Sequence, residues 1–223
     1  MPQIFTSETL RFLAELGINN EKNWFTAHKK QFEEELLHPF QHLVTKLAPV
    51  MSSIDQNLET APFVDKTISR IYRDTRFSKD KSPYRNNMWI TFRRREPEWQ
   101  DGPCWFFELC SDKYRFGMGY YQASPATMNL FREKISKKPQ VFQTALEKIH
   151  SEILVEGEEY KKEKPGAPDS TLAPWFKKKS FYTTVNRMPD ELLFSETLWE
   201  TVQDVFLSLV PLYSFLRMIK DEK

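Results

Sequence analysis

Apolar residues recur along this chain at two different periods, and the order in which the periods appear constrains the fold more than any other feature. Leu10, Leu13 and Leu16 share one stripe of a first helix, capped by Thr6 or Ser7 and stopped by Gly17 in the left-handed conformation that helix C-termini favour. Asn20 then caps a second helix presenting Trp24, Phe25, His28, Phe32 and Leu36, until Pro39 removes a donor and restarts or kinks it. Leu43, Val44 and Leu47 continue the spacing through 40–54. From Thr67 the period drops to two, predicting strands over 67–73, 88–94, 104–110 and 114–121, with turns at 97–103 and at Ser111-Asp112.

Helical spacing returns at Ser124-Pro125, a cap followed by a favoured first residue, and again at Pro139, ahead of Phe142, Ala145, Leu146 and Ile149. Residues 156–164 read as a charged, solvated stretch and 165–174 as a surface loop. A last helix, capped by Ser195 and bent at Pro211, carries Leu198, Val202, Val205, Phe206 and Leu209. Helices, then strands, then helices predict a single α+β domain over 1–223, helical in 1–62, mainly β in 63–122 and mainly helical in 123–223. Its antiparallel sheet has about four or more strands, packed against the N- and C-terminal helices. A chain of 223 residues is short enough for one core, and 14% aromatic residues predict a core built of rings.

Several function classes lack their signals. The start, MPQIFTSETL, has neither the basic nor the apolar region of a secretory leader, and the most apolar stretch, 205–216, is about half a membrane-spanning length. Cys104 and Cys110, six apart in one predicted strand, stand about 20 Å from each other, too far for a disulfide. Two buried free thiols fit a reducing, cytoplasmic location with no membrane partner. The six glycines complete no P-loop, and the third glycine of a dinucleotide motif begun at Gly117 and Gly119 would fall at Gln122. Gly117-Met118-Gly119 instead predicts a strand against which a helix or ring packs closely. His38 and His42 have the spacing of a metal pair, but Pro39 lies between them; His28 and His150 are isolated, so neither a metal nor a cofactor is expected.

The charge distribution is the informative feature. The chain carries 32 basic and 31 acidic residues, for a net charge of +1. Yet between Lys66 and Arg95 ten Lys or Arg face only Asp74 and Asp80, a local balance of 10 minus 2, or +8. Such a segment needs an acidic partner, internal or external. Guanidinium groups recognise carboxylate or phosphate in a planar, bidentate way, whereas lysines act as flexible point charges. In the segment 70–85, Arg70 shares strand parity with Tyr72, with Arg73 on the other face.

The same run, Arg70-Ile71-Tyr72-Arg73-Asp74-Thr75-Arg76-Phe77-Ser78-Lys79-Asp80-Lys81-Ser82-Pro83-Tyr84-Arg85, resembles the signature of the family catalogued as domain of unknown function 2461. The opening pattern of Phe5, Phe12-Leu13, Leu16, Asn19-Asn20 and Trp24-Phe25 is similar to that family too, as are 106–119 and, more loosely, 160–165 and 207–216. The resemblance implies no activity, so no catalytic residue is carried over. One departure stands out: the family's Gly-rich loop with a His after Pro165 is replaced here by Pro168-Asp169-Ser170-Thr171.

Three accounts of the basic segment stay open. Its arginines can pair internally with Asp74, Asp80 and Glu108, as a structural or protein-interaction module. They can form a pocket for a small phosphate- or carboxylate-bearing ligand, the reading preferred here, with Arg70, Arg73, Asp74, Arg76, Lys79, Lys81, Tyr84, Arg85 and Glu108 as candidate binding residues. Or Phe77, Tyr84 and Trp89 can act as stacking platforms for nucleic acid, a partner the net charge of +1 disfavours. Glu108, within Trp105-Phe106-Phe107-Glu108-Leu109, is expected to be paired with an arginine. Catalysis, the ligand's identity and the oligomeric state are left open by these residues.

Overall fold

The computed structural model describes residues 3–162, 166–167 and 170–222. The loop proposed at 165–174 and the Pro168-Asp169 departure thus fall partly or wholly outside the described residues.

The fold is α+β, built on a five-stranded antiparallel sheet of order β1-β2-β3-β5-β4. The strands are β1 (Asn87–Phe92), β2 (Pro103–Cys110), β3 (Tyr114–Tyr120), β4 (Leu154–Glu156) and β5 (Tyr182–Arg187). The chain divides into two compact units, the first comprising 1–92, 106–116 and 186–203, the second 93–105, 117–185 and 204–223.

In the first unit, α1 (Ser7–Ile18) opens with a capping box: the Thr6 hydroxyl accepts the Glu8 N–H, and Thr9 Oγ1 accepts the Thr6 N–H at 3.1 Å. Gly17 is not left-handed. The helix runs through it to Ile18 and is closed by Asn19, whose backbone and side-chain N–H groups both donate to Glu15 O. An amide able to satisfy that carbonyl twice makes a glycine cap unnecessary. Next come α2 (Lys22–Ala27), α3 (Lys29–Phe32), a π-helical turn over Glu33–Leu37, and α4 (His38–Ile54), which carries Pro39 in its first turn. Pro39 has no donor to offer, and the π-helical turn just before it, with Leu37 itself helical, carries the chain past the missing bond. Asn20 does not cap α2; that position belongs to Glu21. Phe5 and Phe40 pack on Phe107 of β2, with centroids at 5.6 and 6.2 Å.

The predicted strand at 67–73 is absent as a continuous ladder. Ile68 bridges to Ile90 and Tyr72 to Tyr84, each in isolation. Ser69 interrupts the first pairing by offering its hydroxyl, rather than its carbonyl, to the Trp89 N–H at 3.0 Å. The alternation read from the sequence survives: Ile71 is buried, Arg70 and Tyr72 are exposed, and Arg73 shares the inner side with Ile71 at 25% side-chain exposure.

In the second unit, α5 (Pro125–Lys137), α6 (Pro139–Leu146), α7 (Ala173–Phe176) and α9 (Val210–Asp221) surround Phe131, Phe142, Trp175, Phe181 and Phe215, whose centroids lie 5.0–6.2 Å apart. Ser124 caps α5 as the sequence predicts, and Asp101 accepts from Ser124 N, Ser124 Oγ and Thr127 Oγ1. Trp105 packs against Phe206, of α8 (Leu198–Ser208), and against Tyr213. The helix predicted to bend at Pro211 is interrupted at Leu209, so that Pro211 falls in the first turn of α9. No single helix among the described residues is long and apolar enough to cross a membrane.

Two strands had no clear signal in the sequence. β4 is only three residues long and pairs Leu154 with Thr184, Val155 with Thr183 and Glu156 with Tyr182. β5 buries Thr183, Thr184 and Val185 in succession, which erases a period of two. Gly117 and Gly119 do mark close packing, but the neighbour is β5 backbone rather than a helix or ring: a Cβ on Gly117 would lie 1.9 Å from Thr183 O.

Candidate functional site

Within the first unit, the segment after Ile71 leaves the sheet and returns at Arg85. Two backbone bonds close the excursion, Arg73 N to Pro83 O at 2.9 Å and Arg85 N to Ile71 O at 2.8 Å. Its acids are engaged locally. The Asp74 carboxylate accepts from Arg76 N, Nε and Nη2, and the Arg76 hydrogen bonds hold it down at about 2. Asp80 Oδ1 accepts from Ser82 N at 2.9 Å and Ser82 Oγ at 2.6 Å, while Oδ2 takes Arg73 Nη1. Those Ser82 bonds, with Arg73 behind them, push Asp80 below the ordinary carboxylate range.

Beside this loop lies a polar cleft of about 400 Å³. Arg73, Asp80 and Ser82 form its loop side; Tyr84, Arg85, Asn86 and Asn87 line it where the chain enters β1; Gly17 and Asn20 contribute from the junction of α1 and α2. Asn20 ties that junction to the loop, because its Oδ1 accepts Tyr84 N–H at 2.9 Å and its Nδ2 donates to Tyr84 O at 3.0 Å. The Tyr84 ring stacks on Phe25 at 4.2 Å, and burial, with Tyr72 beside it, pushes the phenol up.

Arg85 is the residue whose chemistry is incomplete. Its guanidinium carbon lies 4.8 Å from the centre of the Trp89 ring, a cation–π contact. Its Nε is buried with no hydrogen-bond partner among the described residues. A buried donor left unmatched costs about 1–3 kcal/mol, more when charged.

Of the nine residues singled out by sequence, Arg73, Tyr84 and Arg85 line the cleft. Arg70 points outward and pairs with Asp65; Asp74 and Arg76 hold each other; Lys81 Nζ donates to Thr75 O at 2.9 Å; Lys79 is exposed. Glu108 is paired with an arginine as expected, but with Arg115, at 2.5 Å. It also accepts Asn87 Nδ2 at 2.5 Å, so it orients a lining amide from behind. The asparagines were missed as binding residues: Asn86-Asn87 directly follow Arg85, but Asn20 lies 50 residues before Arg70, and an amide carries no charge to mark it. The end of that run, Arg93 and Arg94, belongs to the second unit, on Trp99 and Asp221 respectively. No three His, Cys, Asp or Glu among the described residues converge as a metal site requires.

The profile of a family described as conserved hypothetical protein (DUF2461) matches residues 8–215. A comparison with curated proteins finds no match.

Proposed function

Since the chain belongs to the family of conserved hypothetical proteins DUF2461, a description that names no chemistry, we propose a function from the cleft itself: it binds a small phosphate- or carboxylate-bearing ligand. The observation that carries this reading is Arg85, which lines a polar cleft beside Arg73 and whose guanidinium has no acidic partner among the described residues. An oxyanion there supplies the Arg85 guanidinium with an acidic partner, and bidentate pairing suits both head groups. A cleft of about 400 Å³ falls in the ordinary range for small-molecule sites.

A second reading is favoured by the ion pairs Arg70 with Asp65, Arg73 with Asp80 and Arg76 with Asp74. In it the loop is a structural latch and any partner is a protein. Nucleic acid finds less support in the same loop. Tyr84 is 3% exposed, Trp89 lies under Arg85, and Phe77, although 95% exposed, has the Arg76 guanidinium 5.8 Å from its ring centre.

The test is thermal denaturation of the full chain with orthophosphate and with malonate, on wild type, Arg85→Ala, Arg76→Ala and Arg73→Ala. A ligand at about 100 times its dissociation constant adds roughly 2.7 kcal/mol, or about 5–10 °C for a chain this size. The shift is expected in wild type and Arg76→Ala and lost in Arg85→Ala. Absence of any shift, with Arg73→Ala melting far below wild type, establishes the latch instead. A single-stranded oligonucleotide whose affinity falls steeply between about 50 and 200 mM salt would revive the third reading.

A further inference from the structure

Resting on that anion-binding reading, we infer that the ligand is a hydroxyl-rich small molecule carrying one acidic head group, a sugar phosphate or a sugar acid, with its head group on Arg85 and a hydroxyl on Asp80. Three features of the cleft select this class.

The first is charge. Two guanidiniums and one carboxylate line the cleft, and the carboxylate already neutralises Arg73. One cation, Arg85, is left to meet the ligand, which suits one acidic group; a second phosphate would face Asp80 and be repelled. The second is the hydrogen-bonding capacity of Asp80. A carboxylate offers about four acceptor positions, and three donors fill Asp80: Ser82 N, Ser82 Oγ and Arg73 Nη1. The remaining position, on a side chain 60% exposed, accepts a hydroxyl and rejects another anion. The exposed Asn86 amide adds a group able to donate and accept, the complement of a polyol.

The third feature is what the cleft withholds. A nucleobase seeks the face of a ring, and the ring that lines the cleft among the described residues, Tyr84, is 3% exposed and stacked on Phe25 at 4.2 Å, while Arg85 covers Trp89 at 4.8 Å. A nucleotide would find its phosphate partner but no slot for its base.

Isothermal titration of the full chain with orthophosphate, glucose 6-phosphate, acetate, gluconate and AMP separates the possibilities, repeated on Arg85→Ala and Asp80→Asn. The expected result is that a hydroxylated probe binds at least tenfold more tightly than its bare head group, glucose 6-phosphate over orthophosphate or gluconate over acetate, and the winning pair identifies the head group. AMP should bind no more tightly than orthophosphate. Asp80→Asn should cut the hydroxyl advantage to under threefold while orthophosphate binding is held or strengthened, since a negative charge has been removed. Arg85→Ala should abolish both. If AMP equals or exceeds the sugar phosphate, or if neither hydroxylated probe outbinds its head group, the anion site stands and the ligand class is wrong. An advantage that survives Asp80→Asn overturns the role of that carboxylate. If no anion binds in an Arg85-dependent way, the anion-binding reading itself fails, and this inference with it.

Discussion

Gly117→Ala tests the spacing of β3 and β5 with a single methyl group. The new Cβ would sit 1.9 Å from Thr183 O, 2.8 Å from Thr183 C and 2.9 Å from Thr184 Cα, where ordinary contact begins at 3.4 Å. All three atoms are backbone, so no rotamer change relieves the clash, and β5 must move by more than an ångström. That strand is held on its other side by β4, and to β3 itself by Thr183 Oγ1 donating to Met118 O at 2.7 Å. Overpacking costs about 1–3 kcal/mol where side chains can yield, so a backbone clash belongs at or above the top of that range. At 2–4 °C per kcal/mol for a chain of this size, the melting temperature should fall by about 6–12 °C. Gly17→Ala is the internal control. Its Cβ would meet Asn86 Cβ at 3.5 Å, an ordinary contact, and the residue is helical, so alanine should stabilise by up to about 1 kcal/mol. Differential scanning calorimetry of both variants reads the contrast directly. A Gly117→Ala protein melting within about 2 °C of wild type would refute the close approach of β5, and a strongly destabilised Gly17→Ala would restore the left-handed cap that the sequence suggests.

Two further outcomes follow from local electrostatics and capping. The Asp74 carboxyl, held at about 2 by Arg76 against an ordinary value of 3.8, should keep its charge at pH 3 in an NMR titration and return toward 3.8 in Arg76→Ala. Because the folded value is depressed, the stability this contact contributes is complete above 3.8 and lost as the pH falls through about 2; a wild-type midpoint near 3.8 would dismiss the pairing. Asp101→Ala removes the acceptor of three hydrogen bonds at the start of α5 and leaves those donors inside the protein. A loss of about 2–4 kcal/mol is expected by urea denaturation, and a change under about 0.5 kcal/mol would show that water replaces the carboxylate.

Much of the cleft's chemistry was visible as a local charge excess, but its membership was not. Arg73, Tyr84 and Arg85 are within the basic run and line the cleft, while Arg70, Arg76 and Lys81 satisfy themselves on neighbours two to six residues away. Sequence shows that charges are crowded; it cannot show which of them a nearby acid has already engaged. Asn20 illustrates the limit, since its partner is the backbone of a residue 64 positions on. Glu108 was rightly expected to be paired, yet the partner came from β3 across a hairpin and not from the basic run.

What the sequence determined by itself is the α+β class, the position of β1, β2 and β3, the opening of α1 and α5 and the ring-built cores, because each of these follows from interactions within a few residues: periodicity, caps and turns. Only the tertiary structure decided that 67–73 pairs through isolated bridges, that β5 is laid beside β3 across two bare glycines, and that one arginine of a crowded set keeps an unmatched donor. Those are outcomes of long-range competition for hydrogen-bond partners and space, which a residue's neighbours in the chain do not reveal.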